Sequence, residues 1–207
     1  MPFHDDDPIW YASYGSNCSA ERFTMYLTGG RAAGATRDER GARNPAPPRS
    51  IEPIWFDSDV RFLGNAAKWG GGGVAYLSHE PGGRAPGTRY LITKGQFDDV
   101  AAQESRRDTV ATPLHECEIG VVHPIGNGFY DGLLVLEPID GTPVVTFTSP
   151  EPHVPLQPNP PSAAYLGTIL RGLVAVHDGD RDTIVDHLRH DRALAAGWTR
   201  EAMLALL

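Results

Sequence analysis

Turn-forming residues limit the length of the regular elements in this sequence. It contains 23 glycines and 18 prolines among 207 residues, and both residue types interrupt helices and central strands. Together, glycine and proline make up about a fifth of the chain, which approaches the range that is typical of disordered chains. However, 41% of the residues are apolar, which is enough to form a core. The composition therefore predicts a folded, loop-rich protein.

Charge and terminal sequence exclude several classes of protein. Lys and Arg total 18 against 26 Asp and Glu, a net charge of −8, whereas nucleic acids and anionic membranes bind basic patches. No apolar window approaches the roughly 18 residues of a membrane span, and the acidic N-terminus does not resemble a secretory signal. Two cysteines, Cys18 and Cys117, are too few for a disulfide framework. We expect a soluble, cytoplasmic protein without nucleic-acid or membrane partners.

The first folded unit is predicted as strand, glycine turn and helix. Ile9–Ser13 has the aromatic and branched composition of a strand, and it leads directly into the turn-forming sequence Tyr14-Gly15-Ser16-Asn17. Ser19–Leu27 then shows a weak helical pattern.

Short strands are predicted along the first three quarters of the chain, separated by turns rich in glycine and proline. They are Ile54–Leu63, Gly73–Leu77, Thr88–Ile92, Glu116–Val122, Phe129–Leu136 and Pro143–Thr148. Two long segments have no regular period: Thr28–Pro53, which we expect to cross the surface, and Ser149–Pro161, which contains six prolines and forms a stiff loop.

A helix beginning after Thr93 carries the first candidate catalytic residue. Thr93 and Gln96 have the spacing of a capping box. Glu104 lies seven residues after Phe97, which returns it to the same helix face two turns later. This face points towards the predicted core, so Glu104 is a candidate general acid and base.

The C-terminal quarter is predicted to be mostly helical. Ser162 is expected to cap a helix whose apolar residues from Tyr165 to Val174 follow helical spacing. Shorter helices are expected at Arg181–His190 and Thr199–Leu206. With strands first and helices last, one α+β domain over residues 9–207 is predicted, after a disordered segment at residues 1–8.

Several familiar motifs are incomplete. The Gly70–Gly73 run lacks the Gly-Lys-Ser/Thr of a phosphate loop and is better suited to the close approach of another chain or a ligand to the backbone. Ser16 lacks the second glycine of a nucleophile elbow, and Cys18 has no histidine at a defined spacing. Near the C-terminus, the acids at 178, 180 and 182 and the histidines at 187 and 190 lack calcium or zinc spacing.

Four ordered sequence blocks together resemble the gamma-glutamylcyclotransferase-like family. The blocks are Tyr14–Asn17 after the first strand, Trp69–Ala75, Gln103–Glu104 at the end of a helix, and Pro161–Tyr165. The resemblance spans residues 9 to about 175. It implies a small mixed β-barrel surrounded by helices.

The resemblance also implies a function and a set of site residues. Glu104 corresponds to the catalytic acid and base, and the turn after the first strand binds substrate through its backbone N–H groups. Arg22 resembles an arginine that often follows this turn, although a surface charge on the helix is an equally good interpretation. The substrate-binding residues implied are Tyr14, Gly15, Ser16, Asn17, Arg22, Trp69, Gly70, Gly71 and Tyr165.

The implied reaction is the cleavage of a γ-glutamyl amide by its own α-amine, giving 5-oxoproline and a free amine. This chemistry needs a base, a folded substrate and donors for an oxyanion, but no metal or redox cofactor. Ser13 between Ala12 and Tyr14, and Cys18 after the turn, depart from the family pattern, so the released amine is not specified. Two alternatives remain open: an amidase or esterase using water in the same pocket, and a non-catalytic module that binds a small ligand or a partner protein.

Overall fold

The computed structural model describes residues 3–151 and 157–207, which form one six-stranded mixed sheet with helices on both faces. The strands in chain order are β1 (Pro8–Ser13), β2 (Ser50–Leu63), β3 (Val74–Thr93), β4 (Val122–Pro124), β5 (Gly132–Ile139) and β6 (Thr142–Thr148). Their order across the sheet is β2-β3-β1-β6-β5-β4. The β1–β6 pair is parallel and the other neighbours are antiparallel.

The sheet is open, so the predicted closed barrel is wrong for the part of the chain that the structure describes. Closure would require the two edge strands, β2 and β4, to pair with each other, and they do not. β4 has only three residues, which leaves few backbone groups to pair with the 14 residues of β2. The α+β class and the mixed sheet are confirmed.

Two hydrophobic cores lie on opposite faces of the sheet. Successive residues of a strand point to opposite faces, and β1 shows this directly. Ile9 and Tyr11 belong to one core, whereas Trp10 and Ala12 belong to the other. β1 therefore forms the centre of the molecule, and the turn that follows it is held between both layers.

Within residues 3–151 and 157–207, six α-helices pack on these two faces: α1 (Ala20–Thr28), α2 (Lys94–Glu104), α3 (Ala163–Val176), α4 (Arg181–Leu188), α5 (Arg192–Gly197) and α6 (Arg200–Leu204). Residues of α1 and α2 contribute to the core that contains Tyr11, and residues of α3 to α6 contribute to the other. In the described residues, no helix is both long and apolar enough to cross a membrane.

Local capping signals were predicted correctly, whereas several strand limits were not. The Thr93–Gln96 capping box and the Ser162 cap of α3 are both present. The two strands predicted on either side of residues 78–87 form one continuous strand, β3, because β2 pairs with it across two register shifts. The strand predicted at Glu116–Val122 is displaced: the paired strand is Val122–Pro124, and within the predicted range Ile119 forms only an isolated bridge with Val135. Helix α5 was not predicted.

Two predicted segments fall partly outside the described residues. These are the N-terminal segment at residues 1–8 and the proline-rich loop Ser149–Pro161, of which residues 1–2 and 152–156 are not described. The end of the proline-rich loop is described, and Gly73 N donates a hydrogen bond to Pro160 O at 3.0 Å.

Candidate active site

A cavity of about 700 Å³ opens between the turn after β1 and the C-terminal end of α2. Eight residues expected to bind substrate or catalyse the reaction line this cavity: Tyr14, Gly15, Ser16, Asn17, Arg22, Trp69, Glu104 and Tyr165. Gly70 and Gly71 are not among its lining residues. Segments that are far apart in sequence therefore meet in one pocket, and each of the four sequence blocks contributes at least one lining residue.

The turn after β1 is fixed by side chains of β3. A short 3₁₀ helix, Ser16–Cys18, follows Gly15, and Cys18 N donates to Gly15 O at 2.9 Å. Tyr90 Oη donates to Asn17 O at 2.6 Å, and Thr88 Oγ1 donates to Cys18 O at 3.0 Å. These bonds satisfy the carbonyl groups of the turn. The N–H groups at the start of a helix, in contrast, have no acceptor within the helix.

Glu104 ends α2 and is half-buried at the edge of the cavity. Asn17 Nδ2 donates to Glu104 Oε1 at 3.3 Å, and Tyr26 Oη donates to the same oxygen. Oε2 receives no hydrogen bond from any described residue. The helical spacing predicted the inward orientation, but Glu104 faces an open cavity rather than a packed apolar core.

The side-chain amide of Asn17 has a defined orientation because of Glu104. An ionised carboxylate only accepts hydrogen bonds, so the amide nitrogen must face it. Asn17 Nδ2 also donates to Tyr11 Oη at 3.2 Å. Asn17 Oδ1 is then left buried, without a partner among the described residues. A ligand that donates a hydrogen bond can satisfy this oxygen.

Arg22 is buried beside the cavity, and its interpretation as a surface charge is therefore wrong. Its side chain is 2% exposed, and Nη2 donates to Glu39 Oε1 at 2.5 Å. The guanidinium lies 4.4 Å from the centroid of the Tyr26 ring. Nε and Nη1 are buried and have no partner within the described part of the chain. Arg22 therefore retains donors for an acceptor that no described residue supplies.

Glu39 and Lys68 are two site residues that sequence patterns did not indicate. Lys68 Nζ also bonds to Glu39 Oε1, so Glu39 neutralises part of the positive charge of two cations. Glu39 lies in the segment predicted to cross the surface, yet it is only 9% exposed. That segment is attached to the pocket through Thr36 N, which donates to Lys68 O at 2.9 Å, and through Gly41 N, which donates to Gln103 Oε1 at 3.1 Å.

Tyr165 forms the wall opposite the turn. Its hydroxyl accepts a hydrogen bond from Ala75 N at 3.2 Å, and its ring lies 5.3 Å from that of Trp69. Burial raises the pKa of Tyr165 to about 12, so the hydroxyl stays protonated at neutral pH. A Cβ added at Gly15 would lie 3.3 Å from Tyr165 Oη. The glycine therefore keeps the hydroxyl close to the turn.

The glycine run after Trp69 has a packing role at its second half. A Cβ at Gly72 would lie 2.6 Å from Ser162 N, and one at Gly73 would lie 2.0 Å from Asn159 O. A close approach is thus present at these two glycines, and it is made by a segment of the same chain. The approaching segment leads into α3, and Ser162 Oγ donates to Trp69 O at 3.0 Å. This contact positions Tyr165 beside the cavity.

Cys18 is unsuited to act as a nucleophile. Its side chain is fully buried, and Sγ donates to Ser13 O at 3.2 Å. Burial raises the pKa of Cys18 to about 12, and the reactive thiolate is therefore scarce at neutral pH.

Comparisons with known structures identify the fold. A gamma-glutamyl cyclotransferase matches with a TM-score of 0.54 and 15% sequence identity, covering 97% of this chain and 98% of that one. An uncharacterized protein from Homo sapiens matches with a TM-score of 0.55 and 17% identity, covering 97% and 99%. The chain has a gamma-glutamylcyclotransferase-like fold. At these identities, the likeness establishes the architecture alone.

Sequence comparisons are less informative than the structure comparisons. No family model matches the chain. Histone deacetylase 5 from Arabidopsis thaliana is 29% identical over 188 residues, which cover 80% of this chain. The match spans only 28% of the length of that plant protein.

Proposed function

We propose that this protein is a cofactor-free cyclotransferase that acts on a γ-glutamyl amide. The observation that carries the proposal is the set of unpartnered groups around Glu104. Asn17 Oδ1 is a buried acceptor, whereas Arg22 Nε and Nη1 are buried donors. Buried polar groups normally have hydrogen-bond partners. An α-amino acid group offers an ammonium for the first and a carboxylate for the second.

A γ-glutamyl amide carries this α-amino acid group at one end and the bond to be cleaved at the other. Its α-carboxylate would bind Arg22, whose charge Glu39 only partly neutralises. Its α-ammonium would lie beside Asn17 Oδ1 and the free Oε2 of Glu104. This orientation brings the α-nitrogen and the γ-carbonyl carbon together, and it removes much of the entropic cost of ring closure.

The reaction then needs only proton transfers and oxyanion stabilisation. Glu104 Oε2 takes a proton from the α-ammonium, and the neutral nitrogen forms a bond to the γ-carbonyl carbon. The N–H groups at the start of the Ser16–Cys18 helix and the neutral hydroxyl of Tyr165 are the candidate donors to the oxyanion. Glu104 returns this proton to the leaving nitrogen as the γ-amide bond breaks, and it then takes the second proton that the ring nitrogen loses and passes it to the released amine. The products are 5-oxoproline and a free amine.

The proposal is tested by supplying a panel of γ-glutamyl amines and measuring 5-oxoproline and the released amine by mass spectrometry. Glu104→Gln should lower the rate by about 10²- to 10⁴-fold, the usual contribution of a general acid or base. Glu137→Gln is the matched control, because Glu137 is exposed at the end of β5. Formation of no 5-oxoproline from any substrate, or full activity in Glu104→Gln, would contradict the proposal.

Hydrolysis by water in the same pocket gives a different result in the same assay. An amidase or esterase would still cleave a substrate whose α-amino group is acetylated, and it would release glutamate derivatives. A cyclotransferase would not cleave that substrate, because the attacking nitrogen is blocked.

A further inference from the structure

Tyr26 links the proposed base to the proposed carboxylate subsite. It lies on α1, is 2% exposed, and packs in the core that contains Tyr11 and Phe23. Its hydroxyl donates to Glu104 Oε1, while the Arg22 guanidinium lies over its ring. In the sequence, Tyr26 shows only the spacing of a helix core residue.

The two hydrogen bonds to Glu104 leave its two oxygens in different environments. Tyr26 Oη and Asn17 Nδ2 both donate to Oε1. A carboxylate held at one oxygen by two donors has a restricted orientation, and the direction of its second oxygen is then fixed. This arrangement resembles the way in which supporting residues orient catalytic groups in general.

Tyr26 is itself held rigidly and remains a donor at neutral pH. Gln103 Nε2 donates to Tyr26 O at 3.0 Å, which joins α1 to α2 next to Glu104. Burial raises the pKa of the Tyr26 hydroxyl well above its usual value, and the charge of Glu104 raises it further. The hydroxyl therefore keeps its proton and donates it in a hydrogen bond instead of transferring it.

We infer that Tyr26 is a positioning residue for Glu104: its hydroxyl holds Oε1 so that Oε2 faces the reacting α-amine. This inference rests on the proposed cyclotransferase activity. It assigns no contact between Tyr26 and the substrate. Loss of the hydroxyl should therefore impair turnover rather than binding.

The test uses Tyr26→Phe in the full chain, with a substrate that the wild-type protein converts to 5-oxoproline. A misaligned catalytic group can cost up to about 100-fold in rate, and we expect kcat to fall about 10- to 100-fold. The phenylalanine ring still lies beneath Arg22, so KM and the inhibition constant of 5-oxoproline should stay within about threefold of the wild-type values. This is less than a tenfold change, which corresponds to 1.4 kcal/mol.

Thr148→Val is the matched control, because it also removes a buried hydroxyl. Thr148 is fully buried outside the cavity, and its Oγ1 donates to Leu77 O at 2.6 Å. It should lower the melting temperature but leave kcat unchanged. Together the two variants separate the loss of a buried hydrogen bond from the loss of alignment.

Three outcomes would overturn the inference. If Tyr26→Phe retains a wild-type kcat, the hydroxyl does not position Glu104, and the cyclotransferase proposal still stands. If kcat, KM and the 5-oxoproline inhibition constant all change together, the residue has a general structural role. If the wild-type protein forms no 5-oxoproline from any γ-glutamyl substrate, the proposed function and this inference fail together.

Discussion

At the residue scale, Glu39 and Glu104 are two carboxylates of the pocket that have different partners and therefore lie in different environments. Glu39 Oε1 is bound by two cations, Arg22 and Lys68. Glu104 Oε1 is bound by the neutral groups of Tyr26 and Asn17, and its other oxygen is available. Glu39 therefore acts as a counter-ion that allows the two cations to be buried. In the proposed reaction, Glu104 is the carboxylate that exchanges a proton with the substrate.

Cys18 should be unreactive in the folded protein, although it lies next to the turn. At pH 8, an aromatic disulfide reagent should label Cys117 first, since Cys117 is partly exposed and Cys18 is fully buried with a pKa raised by burial to about 12. Cys18 should react only after the protein is unfolded in urea. Mass spectrometry of peptides identifies the labelled residue, and rapid native labelling of Cys18 would show that the turn opens.

The sequence predicts the site residues that belong to local patterns and misses those that depend on tertiary approach. Glu104 follows from its helical spacing after Phe97, and Asn17 lies in a turn with a recognisable sequence. Glu39 belongs to a segment without any period, and its partner Lys68 is 29 residues away. Tyr26 has an ordinary apolar-face spacing, so nothing local distinguishes its hydroxyl from that of any other packed tyrosine.

At the scale of elements, the strand ends are harder to predict than the helix starts. Helix caps are local: Thr93 and Ser162 each accept a hydrogen bond from a residue three positions later. Strand ends depend on the partner strand instead. β3 continues through the glycines and prolines of residues 78–87 because the long β2 pairs with it, with register shifts that accommodate the irregular segment.

Substitutions in the glycine run measure how much the close packing of α3 on the Trp69 segment contributes to stability. Gly70 and Gly72 have φ of 77° and 78°, so alanine at either position costs about 1–2 kcal/mol in backbone strain. A Cβ at Gly70 meets nothing within 4 Å, whereas one at Gly72 would lie 2.6 Å from Ser162 N. Gly72→Ala should therefore be less stable than Gly70→Ala by about a further 1–3 kcal/mol, the usual cost of overpacking.

Urea unfolding of the two glycine variants, followed by tryptophan fluorescence, measures this difference directly. Because the backbone strain is matched, subtraction isolates the contact with the start of α3. Equal midpoints for Gly70→Ala and Gly72→Ala would mean that the segment before α3 moves away at little cost, and that it does not hold Tyr165 in place.

At the scale of the whole molecule, the proposed anionic substrate would have to bind to a protein with a net charge of −8. The cavity nevertheless has four basic lining residues against three acidic ones: Arg22, Arg37, Lys68 and Arg106 against Asp38, Glu39 and Glu104. Arg37 and Arg106 are exposed, whereas Arg22 is buried, and buried charges are screened less by salt than exposed ones. Under the proposed function, the local charge of Arg22 would therefore attract the substrate carboxylate although the net charge is negative.

The sheet explains why such a pocket forms at one end of β1. β1 is the central parallel partner of β6 and pairs with β3 on its other side, so its C-terminal turn lies between the two helical layers. α1 and α2 bring Tyr26 and Glu104 from one face, and α3 brings Tyr165 from the other. The two-sided sheet thus supplies Glu104 and Tyr165 to the cavity from independent layers.

His177 connects the C-terminal helices to the sheet, and its titration should affect the stability of the whole fold. It follows α3, its Nε2 lies 2.9 Å from Gly87 O, and its ring lies 5.2 Å from that of Trp55. Burial lowers the pKa of His177 below its usual value of 6.5, although the hydrogen bond to Gly87 O and nearby acids oppose this effect. The unfolded state therefore binds the proton more readily than the folded state.

This difference gives the sign of the pH dependence. The contribution of His177 to stability is fully present above the unfolded pKa of about 6.5, and it is lost as the pH falls through the lower folded pKa. The urea midpoint of the wild-type protein should therefore decrease between pH 7.5 and pH 5.5. In His177→Gln, whose amide can still donate to Gly87 O, the decrease should be smaller. His115→Gln is the control, since the His115 side chain is 46% exposed. If the wild-type protein and His177→Gln show the same pH dependence, the acid sensitivity belongs to other groups.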